Sequence, residues 1–361
     1  MKKQKLKFSL FARLTIVFFV FTIFLLAVAT LSPRLADLIN SGISQPFRAF
    51  MASLTNPLRF SLFELIVFSS PLIIFLVIYF AIARFSAGFG IRFVINFLAV
   101  VLLIFAAHSL TLSIGYRTTA ITDKLGLPDP DPTTEKLVRA TEILCDEVNS
   151  LAYSVPRSPD GVFVSACTYP ELSEKISDSY SALTKSYPLP ENFKSTIKPI
   201  RASGLISRLR ITGLYSFLTG EVNVSSAYPS YDTIFTAAHE MSHQRGIIRE
   251  DEANFLAYLL TSTSPDPELQ YSAALSMYSY FSSVLYSSSP EAYSALSAKL
   301  CAPASADLTA SRSITERYGN TSIADLSDRV INSYLESNGT DGISSYSRVI
   351  ELVIAYFEMK N

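Results

Sequence analysis

Thr236-Ala237-Ala238-His239-Glu240-Met241-Ser242-His243-Gln244-Arg245-Gly246 contains two of the three histidines in a 361-residue chain. A helix turns about 100° per residue, so His239 and His243 fall about 40° apart on one face. Two imidazoles at that spacing can hold one zinc ion. Glu240 lies beside the pair, placed to take a proton from water polarised by the metal, as a general base does. The apolar residues before the pair, Ile234, Phe235, Ala237 and Ala238, fit a buried helix. Gly246 is expected to end that helix in a left-handed cap.

A catalytic zinc site usually has three protein ligands and one open position. The third histidine, His108, lies in an apolar run, where a packing role is expected, so a carboxylate must complete the set. A second helix is predicted to start near Arg249, and its acidic first turn suits a helix N-terminus. Glu250, Asp251 and Glu252 are therefore the candidate third ligands. Arg245 and Arg249 are expected to pair with neighbouring acids, Glu250 or Asp251.

Outward from the motif, the N-terminal third holds three apolar runs, at about 14–31, 62–83 and 93–114. Each has the length a helix needs to cross a hydrocarbon core. Hydrophobic residues make up 49% of the chain and charged residues only 17%, which favours spanning helices over buried ones. Ala27-Val28-Ala29 resembles a signal-peptidase site, but apolar residues continue to Leu31 and favour an uncleaved anchor. Lys2, Lys3, Lys5, Lys7 and Arg13 predict a cytoplasmic N-terminus, and Arg84 and Arg92 fit the same side. Everything after Gly115 is then extracytoplasmic in a multi-pass protein of the cell membrane. Arg34, Arg48 and Arg59 weaken that bias without reversing it. The amphipathic stretch from Ser32 to Phe60 either lies on the membrane surface or caps the later domain.

The expected organisation is a membrane domain over 1–115, a linker over 116–132 and a mostly helical domain over 133–361. Gly126 to Pro132 reads as an extended spacer. Leu137, Thr141, Leu144, Val148 and Leu151 mark a helix, and Leu205 to Val224 reads as a short strand or hairpin. The last helix is expected over about 344–357. A net charge of -1 gives no bulk attraction for nucleic acid. Cys145, Cys167 and Cys301 form no CxxC pair; Cys145 and Cys167 could form a disulfide in an oxidising space. Oligomeric state is not legible.

His-Glu-x-x-His followed by a helix opening Glu250-Asp251-Glu252-Ala253-Asn254 resembles the gluzincin metallopeptidases. That resemblance implies Glu250 as third ligand and Asn254 as support for a ligand histidine. The six residues between His243 and Glu250 are fewer than in most gluzincins, which keeps Glu252 as the alternative. Such peptidases place an edge strand beside the motif helix. Thr219 to Val224 is the candidate, with a structural hairpin as the other reading. Tyr346 or Arg348 is the candidate donor to developing oxyanion charge.

Over nearly its whole length the chain also resembles the bacterial membrane-protein family termed domain of unknown function 3810. The matching words are Thr219 to Val224, His239 to Ala257, Asn338-Gly339, Asp341-Gly342 and Tyr346. The expectation is three transmembrane helices followed by a zincin-like, mainly α domain. Its activity would be zinc-dependent hydrolysis of peptides or cell-surface proteins, with Glu240 as base. The competing expectation is a metal-containing membrane receptor or assembly factor without turnover.

Overall fold

The computed structural model describes residues 8–319, 321–342 and 348–360. Helix α1 (Leu10–Ala29) starts on the Ser9 side chain, which accepts from the Ala12 N–H at 3.1 Å. Short α2 (Pro33–Ile39) runs through a wide turn at Asn40–Ser44 into α3 (Gln45–Thr55). Two long helices follow, α4 (Leu62–Ser86) and α5 (Gly90–His108), and α5 continues as irregular helical turns to Arg117. Three helical stretches, Leu10–Ala29, Leu62–Ser86 and Gly90–Arg117, are long and apolar enough to cross a membrane. They begin or end a few residues away from the runs read in the sequence. No residue of α4 is buried, and Leu72, Phe75 and Ile82 are among its exposed side chains. Water is a poor solvent for such a surface, so these helices are consistent with a membrane protein.

The rest of the chain is mainly helical. In order come α6 (Ile121–Leu125), α7 (Thr134–Leu151), α8 (Tyr169–Leu183), strand β1 (Ile197–Ile200), α9 (Ser203–Ser207), β2 (Gly213–Ser216) and β3 (Glu221–Ser225). Then come α10 (Ser230–Gln244), α11 (Glu250–Ser262), α12 (Pro267–Ser288), α13 (Pro290–Lys299), α14 (Ala302–Gly319), α15 (Ser322–Ser337) and α16 (Val349–Lys360). Helices α10, α11 and α12 pack on one another, with α7 against α12 and α16 against α11. Their shared core includes Leu144, Ile234, Met241, Phe255, Leu256, Leu275 and Val353.

The sheet order is β1-β3-β2. Strand β3 pairs parallel with β1, Ile197 opposite Val222, and antiparallel with β2, Tyr215 opposite Val222. Of the stretch from Leu205 to Val224, expected as a strand or hairpin, the start lies in α9 and the rest forms the β2–β3 hairpin, which β1 joins as a third strand. All five residues of β3 are buried, which a central strand requires.

Two expectations take more definite form. Residues 116–132 are not all spacer: Ile121 and Leu125 enter the main core, and the chain is extended only after Gly126, whose φ of 67° caps α6. The stretch from Ser32 to Phe60 caps the later domain. Thr55 Oγ1 donates to the Thr219 carbonyl at 3.2 Å, and Gln45 Nε2 donates to the Glu191 carbonyl at 2.6 Å. Gly220, at φ 71°, lets α3 pass so close that a Cβ there would lie 2.6 Å from the Ala52 nitrogen.

The N-terminus of α4 is held by the same sheet. Glu221 accepts from the Leu62 and Phe63 N–H groups at 3.0 and 2.9 Å, and Ser61 bonds Asn223. A carboxylate there satisfies free amides and complements the helix dipole. Cys145, Cys167 and Cys301 are free thiols.

Candidate metal centre

Helix α10 and the first turn of α11 bring three side chains together. Gly246 has φ 90°, the left-handed conformation that ends α10, and Ile247 N–H then caps the Ser242 carbonyl at 3.1 Å. The reversal points the acidic start of α11 back at the histidine face. Glu250 Oε2 lies 3.3 Å from His239 Nε2 and 3.4 Å from His243 Nε2. One ligand atom from each of the three residues lies within 4.8 Å of the others, the spacing of a group that could hold a metal ion.

The ring nitrogens of His243 have distinct partners. Nδ1 lies 2.9 Å from the Ile247 carbonyl, which can only accept, so Nδ1 carries a proton. In the neutral ring Nε2 then presents a lone pair toward Glu250. Glu250 Oε2 is buried without a hydrogen bond of normal geometry. Lone pairs converging in a dry site repel unless a proton or cation sits among them. Without a metal, protons supply the charge. Burial opposes an imidazolium at His243, but Glu250 outweighs it and raises the pKa to about 9. For Glu250, burial opposes ionisation, and the two histidines reverse that effect and hold the carboxyl well below its usual range. The donor set of two imidazoles and one carboxylate suits a divalent transition metal.

Glu240 faces the same space from the other side of the pair. Its Oε2 accepts the Tyr215 N–H of β2 at 2.6 Å, and burial raises its pKa. Gly213 permits this approach: a Cβ there would lie 2.4 Å from Thr236 Cγ2 and 2.9 Å from Glu240 Cγ. His239, Glu240, His243, Glu250 and Asn254 share a cavity of about 390 Å³. Its other walls include Leu112 and Tyr116 from the end of the third apolar segment, Gly213 to Tyr215, Tyr280, and Ile331 and Tyr334 of α15.

Several sequence candidates lie elsewhere. Glu252, the alternative ligand, accepts the Ile121 N–H at 2.9 Å and Arg249 Nη1 at 2.8 Å, and it does not belong to the cluster. That bond also gives Arg249 a partner different from the one expected. Arg245 has no acid among its hydrogen-bond partners in the described residues. It is fully buried, bonds Asn192, Gln244 and the Phe193 carbonyl, and lies over the Tyr180 and Phe193 rings. Asn254 is buried in the cavity wall, but His239 Nδ1 has no hydrogen-bond partner among the described residues. Arg348 bonds Asp341 at 3.0 Å and does not line the cavity, while Tyr346 lies outside the described residues. Thr219 to Val224 cannot be the edge beside the motif helix, since β3 is central; the edge strand in the cavity is β2.

Sequence reasoning did not find Tyr116, Tyr280 and Tyr334, whose positions come from three distant elements. None carries a local motif. His108 contacts Phe217 and Tyr334 at ring distances of 5.2 and 5.7 Å, in agreement with its expected packing role.

The class this defines is a mainly helical protein with three apolar helices of spanning length and a buried His-His-Glu cluster. Residues 40–354 match the family described as protein of unknown function (DUF3810), and the chain belongs to that family. No curated protein and no solved structure matches it.

Proposed function

We propose that the protein is a membrane-anchored, gluzincin-like zinc metallopeptidase, with its zincin-like domain outside the cytoplasm. The observation that carries this reading is the convergence of His239, His243 and Glu250 beside a buried Glu240. The two histidines and Glu250 would hold zinc, which supplies Lewis acidity and lowers the pKa of water to about 7. Glu240 would act as general base. One of its oxygens is occupied by the Tyr215 amide, leaving the other to receive a proton. Its raised pKa makes it a better proton acceptor than an ordinary carboxylate. Strand β2, at the sheet edge and in the cavity wall, would align an extended peptide by backbone pairing. The tyrosine hydroxyls of Tyr116, Tyr280 and Tyr334 take the place of Arg348 and stand beside Tyr346 as candidate donors to an oxyanion. The substrate class is peptides or cell-surface proteins near the bilayer.

The test is Glu240→Gln in the full-length protein. Zinc should stay stoichiometric while peptide hydrolysis falls at least about a hundredfold. Hydrolysis at the parent rate would refute the mechanism. A parent protein that holds zinc, captures a partner stably and never cleaves it would instead establish the non-catalytic receptor.

A further inference from the structure

Arg48 is fully buried, yet its hydrogen-bond acceptors among the described residues are all neutral. Its Nε donates to Gln45 Oε1 at 3.1 Å, Nη1 to the Thr111 carbonyl at 2.9 Å and Nη2 to Asn40 Oδ1 at 2.6 Å. Burial lowers its pKa to about 10. Burying a cation without a counter-ion is costly, and an apolar side chain of similar volume is often as good for stability. Fold stability alone therefore gives a weak reason for an arginine at this position.

Its surroundings supply a stronger one. Asn40, oriented by Arg48, donates from Nδ2 to the Gly246 carbonyl at 3.2 Å. A Cβ on Gly246 would lie 2.2 Å from Arg48 Nη2, so the guanidinium presses directly on the turn. The next carbonyl, that of Ile247, bonds His243 Nδ1 at 2.9 Å. A continuous path thus runs from Arg48 through Asn40 and the Gly246–Ile247 backbone to the His243 ring. The same turn sets where Glu250 begins α11. Gly115, at the end of the third apolar segment, closes on it too: a Cβ there would lie 2.3 Å from Ile248 Cγ1.

We propose that Arg48 is a positioning residue for the metal centre, acting from the segment between the first two apolar helices. Arg48 and Asn40 together fix the ligand turn, and so the tautomer and orientation of His243. This inference rests on the metal reading of the site. Groups that orient a metal-binding histidine typically account for about 10- to 100-fold in metal affinity.

The experiment uses the full-length protein in detergent or nanodiscs, with Zn²⁺ competition against a chelator and Co²⁺ absorption spectra. The variants are Arg48→Met, Asn40→Ala and, as control, Arg157→Met. Arg157 makes a comparable set of bonds, to the Ala152 and Gly161 carbonyls, Asp307 and Tyr271, away from the cluster. Arg48→Met and Asn40→Ala should each weaken zinc binding about 10- to 100-fold and change the cobalt spectrum. Arg157→Met should leave affinity within about twofold of the parent, whatever it does to metal-free melting, because it contacts none of the orienting groups. Asn40→Ala, a small truncation, carries the test if Arg48→Met does not fold. Parent-like affinity in both Asn40→Ala and a folded Arg48→Met, or an equal loss in Arg157→Met, would overturn the proposal while leaving the metal site standing. A parent that binds neither Zn²⁺ nor Co²⁺ would overturn the metal reading itself.

Discussion

Gly246→Ala tests how tightly the ligand turn is packed. The substitution has two costs. A non-glycine residue at φ 90° loses about 1–2 kcal/mol to left-handed backbone strain. The added Cβ would also lie 2.2 Å from Arg48 Nη2 and 2.8 Å from Asn40 Oδ1. Relief of that overlap must break the bond between them, a buried bond to a charged donor worth about 1.5–3 kcal/mol. The sum is roughly 3–5 kcal/mol, a large share of ordinary folding stability. Gly161→Ala is the matched control. Gly161 has φ 80° and nothing within 4 Å of an added Cβ, so it carries the strain alone. Thermal melting of the two metal-free variants at one scan rate isolates the clash. At about 2 °C per kcal/mol for a domain of this size, Gly246→Ala should melt about 3–6 °C below Gly161→Ala. Melting points within about 2 °C of each other would refute the reasoning, because the turn would then have room to move away from Arg48.

Two further outcomes follow from the geometry. Asp232, in the first turn of α10, is pushed by burial from its ordinary 3.8 up to about 6, though bonds from Ser311 and Tyr231 oppose the rise. The folded state then binds the proton more tightly, so this contribution is full below pH 4 and lost as pH rises through 6; Asp232→Asn should raise stability at pH 7.5 by about 1–3 kcal/mol and change little near pH 4, as pH-dependent melting would show. If the protein is the proposed zinc peptidase, Gly213→Ala should push β2 off Thr236 and Glu240 and lower peptide hydrolysis at least about tenfold with zinc still bound; undiminished turnover would show that β2 need not approach α10 so closely.

The sequence by itself determined the local elements. Long apolar runs located the three long helices, because hydropathy needs no tertiary partner. The i, i+4 histidines, Gly246 and the acidic start of α11 gave the helix–turn–helix and the set of candidate ligands, because helix period and capping are local. The β-branched and aromatic residues between Leu205 and Val224, punctuated by Gly213 and Gly220, pointed to a strand or hairpin. The tertiary structure alone decided which strand lies at the edge, since β1 adds in parallel from a separate stretch and makes β3 central. It alone separated Glu250 from Glu252. The two lie two residues apart on one helix, about 200° around its axis, so the direction of the Gly246 reversal sends one to the histidines and the other to Ile121 and Arg249. It also brought Tyr116 and Tyr334 to the cavity and Arg48 to the Gly246 turn. Each is an ordinary residue in its own segment and gains its place from contacts made across a long stretch of chain, which no periodicity records.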